Sequence, residues 1–128
     1  MTPAVIYFWA VSTTSEFYNR GLEKAKRKDY AGPIEEFNQA IRLDPYFSAA
    51  YMERGLTYYN SDAILQGIFD YSEAIKLDGK NAQAYYFRAL AKLTLKSLPD
   101  ALEDVEKAIQ LKFDNAAVYD LQGIVQRK

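Results

Sequence analysis

The chain has 128 residues, 49% of them apolar, with 16 basic and 17 acidic residues and a formal net charge of -1. That suits one domain of ordinary size with a continuous core and excludes global disorder, and the even charge supplies no field to draw in nucleic acid or an acidic membrane. Cysteine and histidine are both absent, which excludes disulfides, thiolate or imidazole metal sites, and any catalytic system built on Cys or His.

The first feature along the chain is the apolar run AVIYFWAV at residues 4–11. A membrane-spanning helix needs about 20 apolar residues, and the run lacks the positive leading segment of a secretory signal. The expected setting is soluble and cytoplasmic, with no membrane span. Val5 to Trp9 lacks helical alternation and reads as an extended segment.

Seven helices are expected after it. A first set covers residues 16–26, 49–60, 82–95 and 116–127, and a second set 33–43, 63–77 and 99–111. Thr13 with Glu16 and Ser97 with Asp100 have the spacing of a capping box. Asp62 is placed to cap the middle helix of the second set. Pro33 and Pro99 fall in first turns, where a missing N–H costs nothing. Asp44-Pro45 and Asp78-Gly79 mark helix ends.

Shifting the sequence against itself by 34 residues brings these helices into register. Aromatics stack at Phe17, Tyr51, Tyr85 and Tyr119, and four places later stand Gly21, Gly55, Ala89 and Gly123. Ala40, Ala74 and Ala108 align, as do Leu43, Leu77 and Leu111. The small residues leave room for close helix approach, and Phe17, Tyr51 and Tyr85 are expected to fill the space beside them. Arg20, Arg54 and Arg88 also share one position, with Glu36, Asp70 and Asp104 sixteen residues further on. The recurrence predicts an ion pair tying the two helices of each hairpin. Gln122 takes the arginine position in the fourth unit.

This pattern resembles the tetratricopeptide repeat: an aromatic, a small residue four places on, an alanine nineteen later and an Asp-Pro ending, at period 34. The resemblance covers about Ser15 to Lys128. It implies an all-α, right-handed α-solenoid of helix-turn-helix repeats, with repeats at about 14–47, 48–81 and 82–115 and a capping helix at 116–128. Residues 1–14 form a separate apolar segment. Pro33 and Gly67 depart from the family's early alanine, Lys24 from the large residue seen at Tyr58, and Lys112-Phe113 from Asp-Pro.

The resemblance further implies a scaffold or adaptor, without catalysis, cofactor or metal, that takes a partner protein's peptide in a concave groove lined by the first helices. One residue from the packing stripe, helical geometry places a second apolar stripe. It comprises Tyr18 and Leu22, then Met52, Leu56 and Tyr59, then Tyr86, Phe87, Leu90 and Leu93, and finally Leu121 and Ile124. Asn19, Asn60, Gln83 and Asp120 flank it as hydrogen-bonding groups. A hydrophobic small molecule or acyl chain carried in the same groove is the alternative. The family's clamp on a chaperone's terminal carboxylate uses Lys, Arg and Asn, but the matching places hold Tyr18, Leu22, Glu53, Gln83 and Phe87. No charge-assisted grip on a carboxylate is expected there. The basic cluster Lys24-Ala25-Lys26-Arg27-Lys28 has no counterpart in later repeats, so no nucleic-acid track is expected. Residues 4–11 are expected to cap the first hairpin, to occupy a groove as a ligand mimic, or to promote self-association.

Overall fold

The computed structural model describes residues 12–113 and 116–127. These fold into α1 (Thr14–Ala25), α2 (Ala31–Leu43), α3 (Ser48–Asn60), α4 (Ile64–Leu77), α5 (Ala82–Thr94), α6 (Leu98–Gln110) and α7 (Ala116–Arg127). No strand occurs among the described residues. All seven expected helices form, and their ends differ from expectation by the residue or two usual for fraying terminal turns. The expectations for residues 4–11 lie outside the described residues.

Local chemistry sets the helix ends. Thr13 and Glu16 form the expected capping box: Thr13 N–H donates to Glu16 Oε1 at 2.8 Å, and Glu16 N–H donates to Thr13 Oγ1 at 3.1 Å. Two of the free donors at the start of α1 are thereby satisfied. Asp44 and Asp78 close α2 and α4 by folding a carboxylate back onto the N–H groups of Tyr46 and Lys80, both at 3.1 Å. Two expected caps do not form. The Ser97 hydroxyl donates to the Asp100 carboxylate at 3.1 Å, because the acid nearby outcompetes a backbone N–H for it. Asp62 is a turn residue with φ 69, not a cap of α4. Lys28 and Lys96, one repeat to either side, have φ 59 and 63. Every turn inside a hairpin thus passes through the left-handed region without glycine, at roughly 1–2 kcal/mol for a lysine.

Each hairpin closes on a small residue. Gly21 lies beneath the Phe37 ring, and a Cβ at Gly55 would sit 2.8 Å from Tyr71 Cε1. Ala89 shares a buried cluster with Val105. The room on the first helix is therefore filled by Phe37, Tyr71 and Val105, all fully buried. This corrects the expectation for Phe17, Tyr51 and Tyr85. Those aromatics instead lie against Arg20, Arg54 and Arg88, with guanidinium carbons 4.7, 5.6 and 5.6 Å from the ring centroids. Two apparent departures also find a reason. Pro33, Gly67 and Ala101 share one buried position early in the second helix. A Cβ on Gly67 would come 3.1 Å from the Gly55 carbonyl oxygen, so the position requires a low profile and not alanine as such.

The predicted ion pairs form. Arg54 grips Asp70 through Nε and Nη2, each 2.8 Å from a carboxylate oxygen. Arg88 holds Asp104 the same way at 2.8 and 2.7 Å. Arg20 Nε stands 3.5 Å from Glu36 Oε1. Lys24 and Lys92, two repeats apart, add a second cation to the same acids at 2.7 and 2.9 Å. That is the role of the lysine found where a large apolar residue was expected. In the second and third hairpins the arginine's third nitrogen reaches backward: Arg54 Nη1 donates to Asn38 Oδ1 at 2.9 Å and Arg88 Nη1 to Ser72 Oγ at 3.1 Å. One side chain thus fastens its own helix, its hairpin partner and the preceding hairpin.

Helices α1, α3, α5 and α7 also meet their neighbours in that series, whereas α2, α4 and α6 make no contact with one another. First helices packed edge to edge, with second helices splayed apart, give a stack concave on the first-helix side. The architecture is the expected all-α solenoid.

Two measurements check this packing. Gly55→Ala drives a methyl into the Tyr71 ring and lowers stability by about 1–3 kcal/mol. Gly123→Ala, at the same register but with nothing within 4 Å of its Cβ, raises it by about 0.5–1 kcal/mol through helix propensity. Chemical denaturation of both variants tests the contrast. Asp70→Ala leaves Arg54 half-buried and unpaired and costs about 3 kcal/mol in the same assay.

Candidate functional site

The inner wall is built from one face of each first helix, and it is not uniform. Asn19, Asn60, Gln83, Asp120 and Ile124 are exposed; Tyr18, Leu22, Leu56, Tyr59, Tyr86, Phe87, Leu90 and Leu93 are half-buried. Met52 and Leu121, expected on the open wall, are each only 4% exposed. Met52 joins Tyr71, Ala74, Ala84 and Ala91 in the cluster between the second and third hairpins. Leu121 joins the cluster around Val105 and Val118. Both are core residues, because successive first helices pack on that edge of the stripe. The apolar stripe is therefore split: Met52 and Leu121 join neighbouring units, and the other stripe residues stay partly or fully exposed.

Aromatic contacts fix the wall. The Tyr18 ring lies 5.9 Å from Phe37 and 4.9 Å from Phe47, bridging α1, α2 and the entry to α3. Tyr86 packs against Phe87 at 5.3 Å and Phe113 at 5.1 Å. Phe87 stacks on the buried Tyr71 at 6.2 Å. The Tyr59 hydroxyl and Thr94 Oγ1 share a hydrogen bond of 3.0 Å that joins α3 to α5. Such contacts hold the side chains in one arrangement, so little ordering entropy remains to be lost on binding.

The electrostatics of the wall were only partly foreseen. Glu53, on α3, enters the sequence reading merely as a residue unlike an amide clamp. It lies beside Asn19, Leu22 and Lys26 in an open concavity of about 510 Å³. Burial raises its carboxyl above the ordinary value of 4.5, and no hydrogen bond or ion pair reaches it among the described residues. Burial also raises the Tyr18 hydroxyl, and the Glu53 charge adds to the rise. Tyr86 is raised by burial first and then by Asp120. The buried Tyr71 hydroxyl has no hydrogen-bond partner among the described residues, and burial followed by the charges of Tyr59 and Glu53 raises it well above the ordinary range.

Two of the four cations in the basic cluster are engaged internally. Lys24 is held by Glu36, and Lys26 Nζ lies 3.4 Å from Glu23 Oε1. A larger concavity, about 760 Å³, lies away from the wall on the outside of the third hairpin among Tyr85, Pro99, Glu103 and Lys107. Its shape offers room, but its rim is charged and no cluster of groups converges on a reacting centre. No group of His, Cys, Asp or Glu suited to a metal ion occurs among the described residues. No helix among them is long and apolar enough to cross a membrane.

Residues 82–115 match the family model of the tetratricopeptide repeat. They coincide with α5 and α6, whose register the first two hairpins share. Solved structures agree over most of the chain. The Arabidopsis OM64 TPR domain superposes with a TM-score of 0.86 at 21% identity, covering 90% of this chain and 95% of its own. The first TPR of Spaghetti (RPAP3) bound to the HSP90 peptide SRMEEVD gives 0.87 at 20% identity, covering 90% and 91%. The second TPR domain of human RPAP3 in complex with the HSP70 peptide SGPTIEEVD gives 0.82 at 24% identity, covering 88% and 93%. No curated protein matches the chain. The third hairpin matches the tetratricopeptide repeat, and the chain as a whole has the helical-repeat solenoid fold of the TPR domains it superposes on.

The buried charge at Glu53 gives a pH signature. Its folded pKa lies above its unfolded value, so its ionised form disfavours folding above the raised pKa. That penalty fades as pH falls, since both states are protonated below the unfolded value. Glu53→Gln is expected to melt higher than the parent at pH 7, and the gain is expected to shrink to nothing at about pH 3.5. Thermal unfolding of the pair at both pH values checks it; an equal gain at both would place the cause elsewhere.

Proposed function

We propose that the protein is a cytoplasmic, non-catalytic adaptor that captures a segment of a partner protein in its concave groove. The observation that carries this is the run of half-buried Tyr, Leu and Phe side chains along α1, α3 and α5, continued by exposed Ile124 on α7. The hairpins use only one edge of these side chains. A groove so lined matches extended or helical peptide ligands that insert apolar anchors, and exposed Asn19, Asn60, Gln83 and Asp120 supply polar partners for a peptide backbone. Similar structures hold the peptides SRMEEVD and SGPTIEEVD, which supports peptide capture as the mode.

The ligand differs from those acidic tails. Tyr18, Leu22, Glu53, Gln83 and Phe87 occupy the family's clamp positions, and none is a cation. A terminal carboxylate seated there would meet the Glu53 charge instead of a charge-assisted donor. An acyl-chain carrier is the weaker reading, because Glu23, Lys26 and Glu53 bring charge into the wall's concavity.

Selection from a random peptide library displayed on phage tests the groove. Leu22→Glu/Ile124→Glu alters the wall while sparing the buried Met52 and Leu121. Selected peptides are expected to bind this variant at least tenfold more weakly, with its circular dichroism unchanged. Retained affinity in the folded double variant would rule the groove out.

A further inference from the structure

We propose that the groove selects peptides carrying an arginine, whose guanidinium pairs with Glu53 beside the Tyr18 ring. The inference rests on the peptide-groove reading and adds the chemistry of the occupant.

Among the described residues the Glu53 carboxylate has no counter-ion. The cations nearest in the fold are engaged: Arg54 with Asp70, Arg20 and Lys24 with Glu36, and Lys26 with Glu23. Helix α3 offers no relief, since Arg54 is committed to Asp70 on α4. Burial nevertheless disfavours the ionised form of Glu53. A half-buried charge with no internal partner weakens the fold, and a ligand cation would remove that disadvantage.

Lys26, the cation in the same concavity, is matched by Glu23, and a further acid on the wall points the same way. Asp120 lies near Tyr86 on the far side of the groove, and among the expected wall residues there is no lysine or arginine. The two acids give the concave face the sign that complements a basic segment. Arginine fits better than lysine. A planar guanidinium can bond both oxygens of a carboxylate while lying on an aromatic face. The chain's own Arg54 does both at once, with Asp70 and Tyr51. Glu53 offers an incoming arginine the same carboxylate on the open side, with the Tyr18 side chain close by.

The test uses the full chain and three nine-residue fluorescein-labelled peptides. Each alternates Leu, Ile, Met and Phe anchors with serine and differs only at the central residue, which is arginine, citrulline or glutamate. Citrulline keeps the shape of arginine and removes its charge. By fluorescence anisotropy the arginine peptide is expected to bind about tenfold more tightly than the citrulline peptide, as a charge-assisted pair would give. The glutamate peptide is expected to be weakest. Glu53→Gln should abolish the arginine advantage while leaving citrulline binding unchanged, and Glu53→Lys should reverse the order in favour of glutamate. Equal binding of arginine and citrulline peptides, or an arginine advantage that survives Glu53→Gln, overturns the proposal while the groove itself stands. Failure of all three peptides to bind overturns the groove reading and this proposal together.

Discussion

A single arginine position organises the stack. From the first helix it bonds the acid sixteen residues ahead in its own hairpin and, in the second and third units, the polar residue sixteen behind in the preceding hairpin. One residue type at one register therefore fixes both the closure of each hairpin and its attachment to the last. Burial makes the arrangement selective. Asp70 and Asp104 are 1% and 2% exposed, so a mispositioned helix would strand a desolvated carboxylate, an error far worse than a lost surface pair. Burial raises the Asp70 carboxyl against the opposing pull of Arg54, while the Asp70 hydrogen bonds raise Arg54. Burial thus dominates at Asp70, whereas at Arg54 the hydrogen bonds outweigh it.

Hydrophobic packing supplies the complementary constraint. Phe37, Tyr71 and Val105 descend onto Gly21, Gly55 and Ala89, and the second helix can approach only where the first is bare. The arginine and the small residue are neighbours in sequence but face different tasks: one satisfies charge at the edge, the other admits bulk at the centre. Together they make each hairpin a nearly rigid block whose remaining side chains line the concave wall.

Much of this was legible in the sequence because it repeats. Periodicity at 34 residues located all seven helices, the arginine–acid pairs and the alanines of the second helices. What escaped was the direction of side chains around each helix. The aromatics Phe17, Tyr51 and Tyr85 stand four places before the small residues, a spacing that points to the interior without fixing it. The true fillers, Phe37, Tyr71 and Val105, also stand in register, but aromatic, aromatic and β-branched residues look less like one position. Met52 and Leu121 were misplaced for a related reason: apolarity cannot distinguish a groove from a seam between units. Glu53 has no acidic counterpart in the repeat, as its register partners are Asn19, Phe87 and Leu121. Periodicity is blind to such a singular residue, yet the residues that break a repeat are where specificity can be written.

The backward hydrogen bonds from Arg54 to Asn38 and from Arg88 to Ser72 have a dynamic consequence. They make each unit's stability conditional on its neighbour, as in a one-dimensional chain of coupled spins. The middle hairpin has neighbours on both sides. At the first hairpin, Arg20 meets Glu36 only at 3.5 Å and turns its other end to the Ser12 hydroxyl. At α7, Gln122 leaves that position without a guanidinium. The first hairpin and α7 are therefore held less firmly than the middle hairpin, so the α1 side of the Glu53 concavity can loosen while α3 stays fixed.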